Sequence, residues 1–101
     1  MIIREWRGRA PLADAARYPA HFCGKVLPGL RARAGFVGAH LGQRQLGDSV
    51  EFLVLTRWAS MEAIRAFAGA DVEAAVVEPE AAAALADYEP KVRHYEILQE
   101  A

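Results

Sequence analysis

The sequence contains no asparagine and a single cysteine, Cys23. A lone cysteine can neither close an internal disulfide nor build a cysteine-rich metal site. No apolar run reaches the length of about 18 residues that a membrane span requires. Charge of one sign is missing too: 12 Lys and Arg face 13 Asp and Glu, a formal net charge of -1. A phosphate-binding surface needs a basic surplus, so nucleic acid is not an expected partner. The start, Met1-Ile2-Ile3-Arg4-Glu5-Trp6, is strand-like and carries an acid early, unlike a secretory signal. No glycine-rich phosphate loop follows a strand, and no H-x-x-x-H or cysteine pair is present. The three histidines, His21, His40 and His94, lie on separate elements without ligand spacing. Metal, cofactor, nucleic acid and membrane are therefore not expected, and a cytoplasmic setting is.

What is present is the composition of a packed protein, 53% hydrophobic and 25% charged over 101 residues. That is one domain, residues 1–101. Ile2 to Arg7 reads as a strand that Gly8 to Pro11 breaks. Leu12, Ala15, Pro19, Phe22 and Val26 recur at helical spacing, with a kink or break expected at Pro19. Cys23 falls on the inner helix face, and His21 on the polar one. Phe36 to Arg44 and Val50 to Trp58 read as strands joined by a hairpin over Gln45 to Ser49. Ser60 is an expected N-cap for a short helix that turns Ile64 and Phe67 inward and ends at Gly69. Asp71 is placed to cap a further helical segment, interrupted at Glu78-Pro79 and resumed in the alanine run Ala81 to Ala84. Val92 to Leu98 reads as the last strand. The order β-α-β-β-α-β is that of an α+β ferredoxin-like fold with an antiparallel sheet. On the third strand both faces are apolar in the middle. Helices can cover one side, and a second copy packed sheet to sheet is the economical cover for the other.

His94 is the best-placed titratable side chain, on a strand between Arg93 and Tyr95, and is a candidate acid/base group or a satisfied half-buried histidine. Trp6 and Trp58 are either core or walls of a cavity between sheet and helices. His40 shares its strand face with Gly38, Gly42 and Arg44, where another layer can approach closely.

Two passages carry a resemblance. Gly35-Phe36-Val37-Gly38-Ala39-His40, and Val50-Glu51-Phe52-Leu53 running to Trp58-Ala59-Ser60-Met61-Glu62-Ala63-Ile64, are similar to antibiotic biosynthesis monooxygenase-type domains. Phe67-Ala68-Gly69 and the closing Tyr88-Glu89-Pro90-Lys91-Val92-Arg93-His94-Tyr95-Glu96-Ile97 extend the likeness over nearly the whole chain. The resemblance implies a dimeric α+β barrel with a cavity in each subunit. It also implies cofactor-independent oxygenation of a phenol or hydroquinone. His94 is then the expected base and Arg4 its anion partner. Trp58, Trp6 and Phe67 are the expected contacts for a small aromatic substrate. The oxygenases of this family commonly use an Asn near the tryptophan or on the first strand, and this chain has none. Haem-degrading members bind iron through a His on the following helix, and Ser60 to Leu85 holds no His. The alternative is a non-catalytic dimeric module that binds a small ligand.

Overall fold

A computed structural model describes all 101 residues. The core strands are β1 (Ile2–Pro11), β2 (Phe36–Leu46) and β3 (Ser49–Trp58). Two short strands, β4 (Asp87–Tyr88) and β5 (Arg93–Glu96), share the free edge of β1. The sheet order is β2-β3-β1-β4, with β5 also pairing β1. All pairings are antiparallel. Four short helices follow the chain: α1 (Arg17–His21), α2 (Leu27–Arg31), α3 (Met61–Ala68) and α4 (Pro79–Ala84). The α+β ferredoxin-like architecture expected from the order of elements is the one observed.

The alternation of strand residues decides which face is dry. Arg4, Trp6, Gly8 and Ala10 of β1 are buried, as are Val50, Phe52, Val54, Thr56 and Trp58 of β3. Helices pack on this face. On the opposite face Ile3, Leu53, Leu55 and Arg57 are only half-buried. Glu51 is the exception there, held at 7% exposure between Arg9 and Arg44. No helix of the structure is long and apolar enough to cross a membrane.

Several local expectations are corrected. Gly8 to Pro11 does not end β1. Gly8 pairs with Phe52 and Ala10 with Val50, because the long β3 offers backbone partners that outweigh the weak intrinsic preference of glycine. Pro19 does not break the helix either. It sits in the first turn of α1, where its missing N–H is not needed. The irregularity comes later, as a π-helical stretch at Phe22–Val26 leading into α2, where Pro28 again cannot donate. That change of register turns Cys23 out to solvent, against the inner position expected for it. His21 moves the other way. Its side chain is 7% exposed, beside Glu80 of α4, rather than solvated. Asp71 caps no helix. Glu78-Pro79, read as an interruption, instead starts α4, with Glu78 at the N-cap and Pro79 in the favoured first turn.

The turns follow their chemistry. Gly47 is at φ 61 and opens the two-residue connection between β2 and β3. Ser60 accepts from the Ala63 N–H at 3.2 Å and caps α3 as expected. Gly35 is at φ 82, and a Cβ there would meet the Ala63 Cβ at 2.5 Å, so the loop before β2 has room for nothing larger.

Candidate functional site

Sheet and helices do not close completely on each other. Between them lies a cavity of about 240 Å³. Its floor is Arg4, Trp6, Val54 and Thr56 from the sheet. Its roof is Tyr18, Phe22, Val26 and Leu30 from the first helical stretch, with Phe67 and Val77 at the sides. The roof residues are spaced four apart, so one face of consecutive helical turns supplies them all. Trp6 is fixed by donating Nε1–H to the Glu89 carbonyl at 2.9 Å, and its ring lies 5.7 Å from that of Tyr18. Tyr18 in turn packs 5.2 Å from Phe52. Burial pushes the Tyr18 phenol well above its ordinary value near 10, so it stays protonated.

Arg4 is the distinctive polar group. It is 5% exposed and makes no ion pair, unlike Arg7, Arg9, Arg44, Arg57 and Arg93. Its guanidinium donates to the Val72 carbonyl at 2.7 Å and the Ala74 carbonyl at 2.9 Å. It also meets His94 Nε2 at 2.9 Å. A guanidinium has only donors, so Nε2 must accept and His94 is neutral with its proton on Nδ1. Burial first, and the Arg4 charge second, hold His94 below its usual value near 6.5.

The five residues singled out in the sequence divide by position. Arg4, Trp6 and Phe67 line the cavity. Trp58 does not. It is 0% exposed, stacked on Phe67 at 5.3 Å and edge-on to Phe36 at 5.4 Å, and it donates to the Thr56 hydroxyl at 2.8 Å. Its place is behind the wall, as the support of two lining residues. His94 does not reach the cavity either. It borders a separate, open groove with Glu73, Glu89, Lys91 and Tyr95. The lone pair that His94 would use as the expected base is engaged by Arg4. Tyr18, Thr56 and Arg33 were missed. Tyr18 carries a signal, since Tyr18, Phe22, Val26 and Leu30 form one unbroken period of four. Thr56 and Arg33 carry none that sequence alone supplies.

The family model for antibiotic biosynthesis monooxygenases matches residues 1–79. The chain belongs to the antibiotic biosynthesis monooxygenase family. Structures of similar fold include a proposed antibiotic biosynthesis monooxygenase of Deinococcus radiodurans, with a TM-score of 0.67 at 17% identity over 100% of this chain and 96% of that one. SnoaB, a cofactor-independent oxygenase of Streptomyces nogalater, matches with a TM-score of 0.63 at 15% identity over 98% of this chain and 93% of its own. A monooxygenase of Streptomyces coelicolor, solved with nanaomycin D, matches with a TM-score of 0.59 at 17% identity, over 99% and 88% of the two chains. Among curated proteins no relative matches this chain. Within the antibiotic biosynthesis monooxygenase fold, the cavity described above is the space between sheet and helices.

Proposed function

We propose that this protein is a cofactor-independent monooxygenase of a phenol- or hydroquinone-type aromatic, with the reaction in the cavity between sheet and helices. The observation that carries the reading is the cavity itself, an apolar aromatic-walled space with one buried guanidinium on its floor. Membership of the monooxygenase family supports it. So does the similarity to a cofactor-independent oxygenase and to a monooxygenase solved with nanaomycin D. The reaction balances without an external reductant: a 1-naphthol-type phenol and O2 give the para-quinone and water. The substrate supplies the electrons, so the protein must bind it, exclude water and stabilise negative charge. Arg4 supplies the positive charge that holds the substrate's anionic group. Trp6 and Phe67 flank the ring, and Trp58 stiffens that wall from behind. His94 acts on the reaction through Arg4, by fixing the guanidinium.

We further propose a homodimer joined through the outer sheet face. Ile3, Leu53 and Leu55 face outward there and are only half-covered. Arg57 Nε on the same face is sealed from solvent without a partner. A second copy supplies the missing layer.

The test is oxygen consumption by purified, metal-free protein with anthrols, naphthols and hydroquinones. The reading expects uptake above the protein-free rate, reduced by Trp6→Leu. No uptake across the panel, with binding retained, would favour the non-catalytic ligand-binding module.

A further inference from the structure

The other buried charged side chain of the sheet, Glu51, has its charge answered. It sits between Arg9 and Arg44 at 3.5 Å and 2.9 Å. Arg4 is 5% exposed and has no carboxylate. Its partners are the carbonyls of Val72 and Ala74 and the neutral ring of His94. These use three of its five N–H groups. The Nε–H and one terminal N–H have no acceptor in the chain. The Nε is not sealed off, since the only sealed side-chain atoms without partners are His21 Nε2 and Arg57 Nε. Arg4 lines the cavity, so a ligand there is the candidate acceptor for these donors. A buried cation without a counter-charge is costly, and an arriving anion offsets that cost.

The same cavity is poor at creating an anion. His94 has its acceptor nitrogen engaged, and burial keeps Tyr18 protonated. Glu78 is the one carboxylate in the lining, and it is exposed. At the rim the balance is cationic again. Arg33 makes no ion pair and also lies over the Phe67 ring, its Cζ 5.5 Å from the centroid where that of Arg4 is 5.7 Å away.

We propose that the ligand of this cavity enters already charged: an aromatic carboxylic acid whose carboxylate pairs with the two unpartnered N–H donors of Arg4 while its rings lie between Trp6, Tyr18 and Phe67. A planar guanidinium presents adjacent donors that suit a carboxylate's two oxygens. The proposal rests on the cavity being the aromatic site. It narrows the substrate to a hydroxyarene bearing an acid group.

The test is calorimetric titration with a matched set of two-ring ligands: 1-naphthoate, 1-naphthamide and 1-naphthol. The expected result is 1-naphthoate binding about tenfold or more tightly than the amide, the scale of one charge-assisted hydrogen bond. Arg4→Gln is expected to remove the preference, and Arg4→Lys to retain part of it. Should Arg4→Gln fail to fold, the wild-type comparison still decides. Equal or tighter binding of the neutral ligands overturns the carboxylate assignment and leaves the aromatic site standing. Binding of none of the three overturns the aromatic site itself, and this proposal with it.

Discussion

At the residue scale, the proposed function turns on how Arg4 is held. The guanidinium is fixed by two carbonyls and His94, so in the proposed reaction His94 contributes geometry and not a proton. That distinction is measurable. His94→Ala is expected to lower turnover by about tenfold, the scale of one charge-assisted hydrogen bond. His94→Gln should recover most of the rate, because an amide oxygen can accept from Arg4. A base would be lost equally in both variants. The pair also makes stability depend on pH. His94 is held below 6.5 in the folded state, so the unfolded chain takes up the proton first on acidification. The contribution is complete above pH 6.5 and is lost as pH falls from there through the lower folded value. Denaturation midpoints of wild type should therefore drop over this window, and those of His94→Gln should drop less. The sequence pointed to Arg4 and His94 separately. Their contact, between residues 90 positions apart, depends on β5 pairing with β1, which brings Arg4 opposite His94 in register.

At the element scale, the strands were readable because alternation is a strong signal when one face is packed, and β2 and β3 lie within a few residues of their expected bounds. The helical layer was less readable. Its first stretch combines two prolines and a π-helical turn, which shift the inward face away from Cys23. The passage between α3 and α4 is fixed by long-range backbone bonds, such as Ala75 N–H to Pro90 and Val92 N–H to Glu73, that leave no local pattern. Two predictions belong here. Ser60→Ala should cost about 1 kcal/mol in chemical denaturation, the usual loss of an N-cap. Trp58→Ala should cost roughly 3–5 kcal/mol, because a fully buried ring leaves a void that its neighbours fill only in part.

At the scale of the whole molecule, the sheet has one face closed by helices around a cavity and another with half-covered leucines. The account expects two copies to meet on the second face. Sedimentation at micromolar concentration should give a dimer, and Leu55→Glu, which places a carboxylate at the centre of that face opposite Glu5, should give a folded monomer. A wild-type monomer would contradict the interface. The overall architecture was legible in the sequence because β-α-β-β-α-β order leaves few ways to pair four strand positions. The cavity was not. Its size depends on how closely helices approach the sheet, and no single residue encodes that.

The central claim is that a small aromatic occupies the space between sheet and helices. Trp6 lines that space and Trp58 does not, so the Trp58→Phe variant leaves one tryptophan as its reporter. The decisive measurement is the emission of this variant during titration with 1-naphthoate, excited where the ligand absorbs least. A saturable change in Trp6 emission is predicted, moved to about tenfold higher ligand concentration in Trp58→Phe carrying a second substitution, Arg4→Gln. Unchanged emission up to millimolar ligand, in a folded variant, would contradict it.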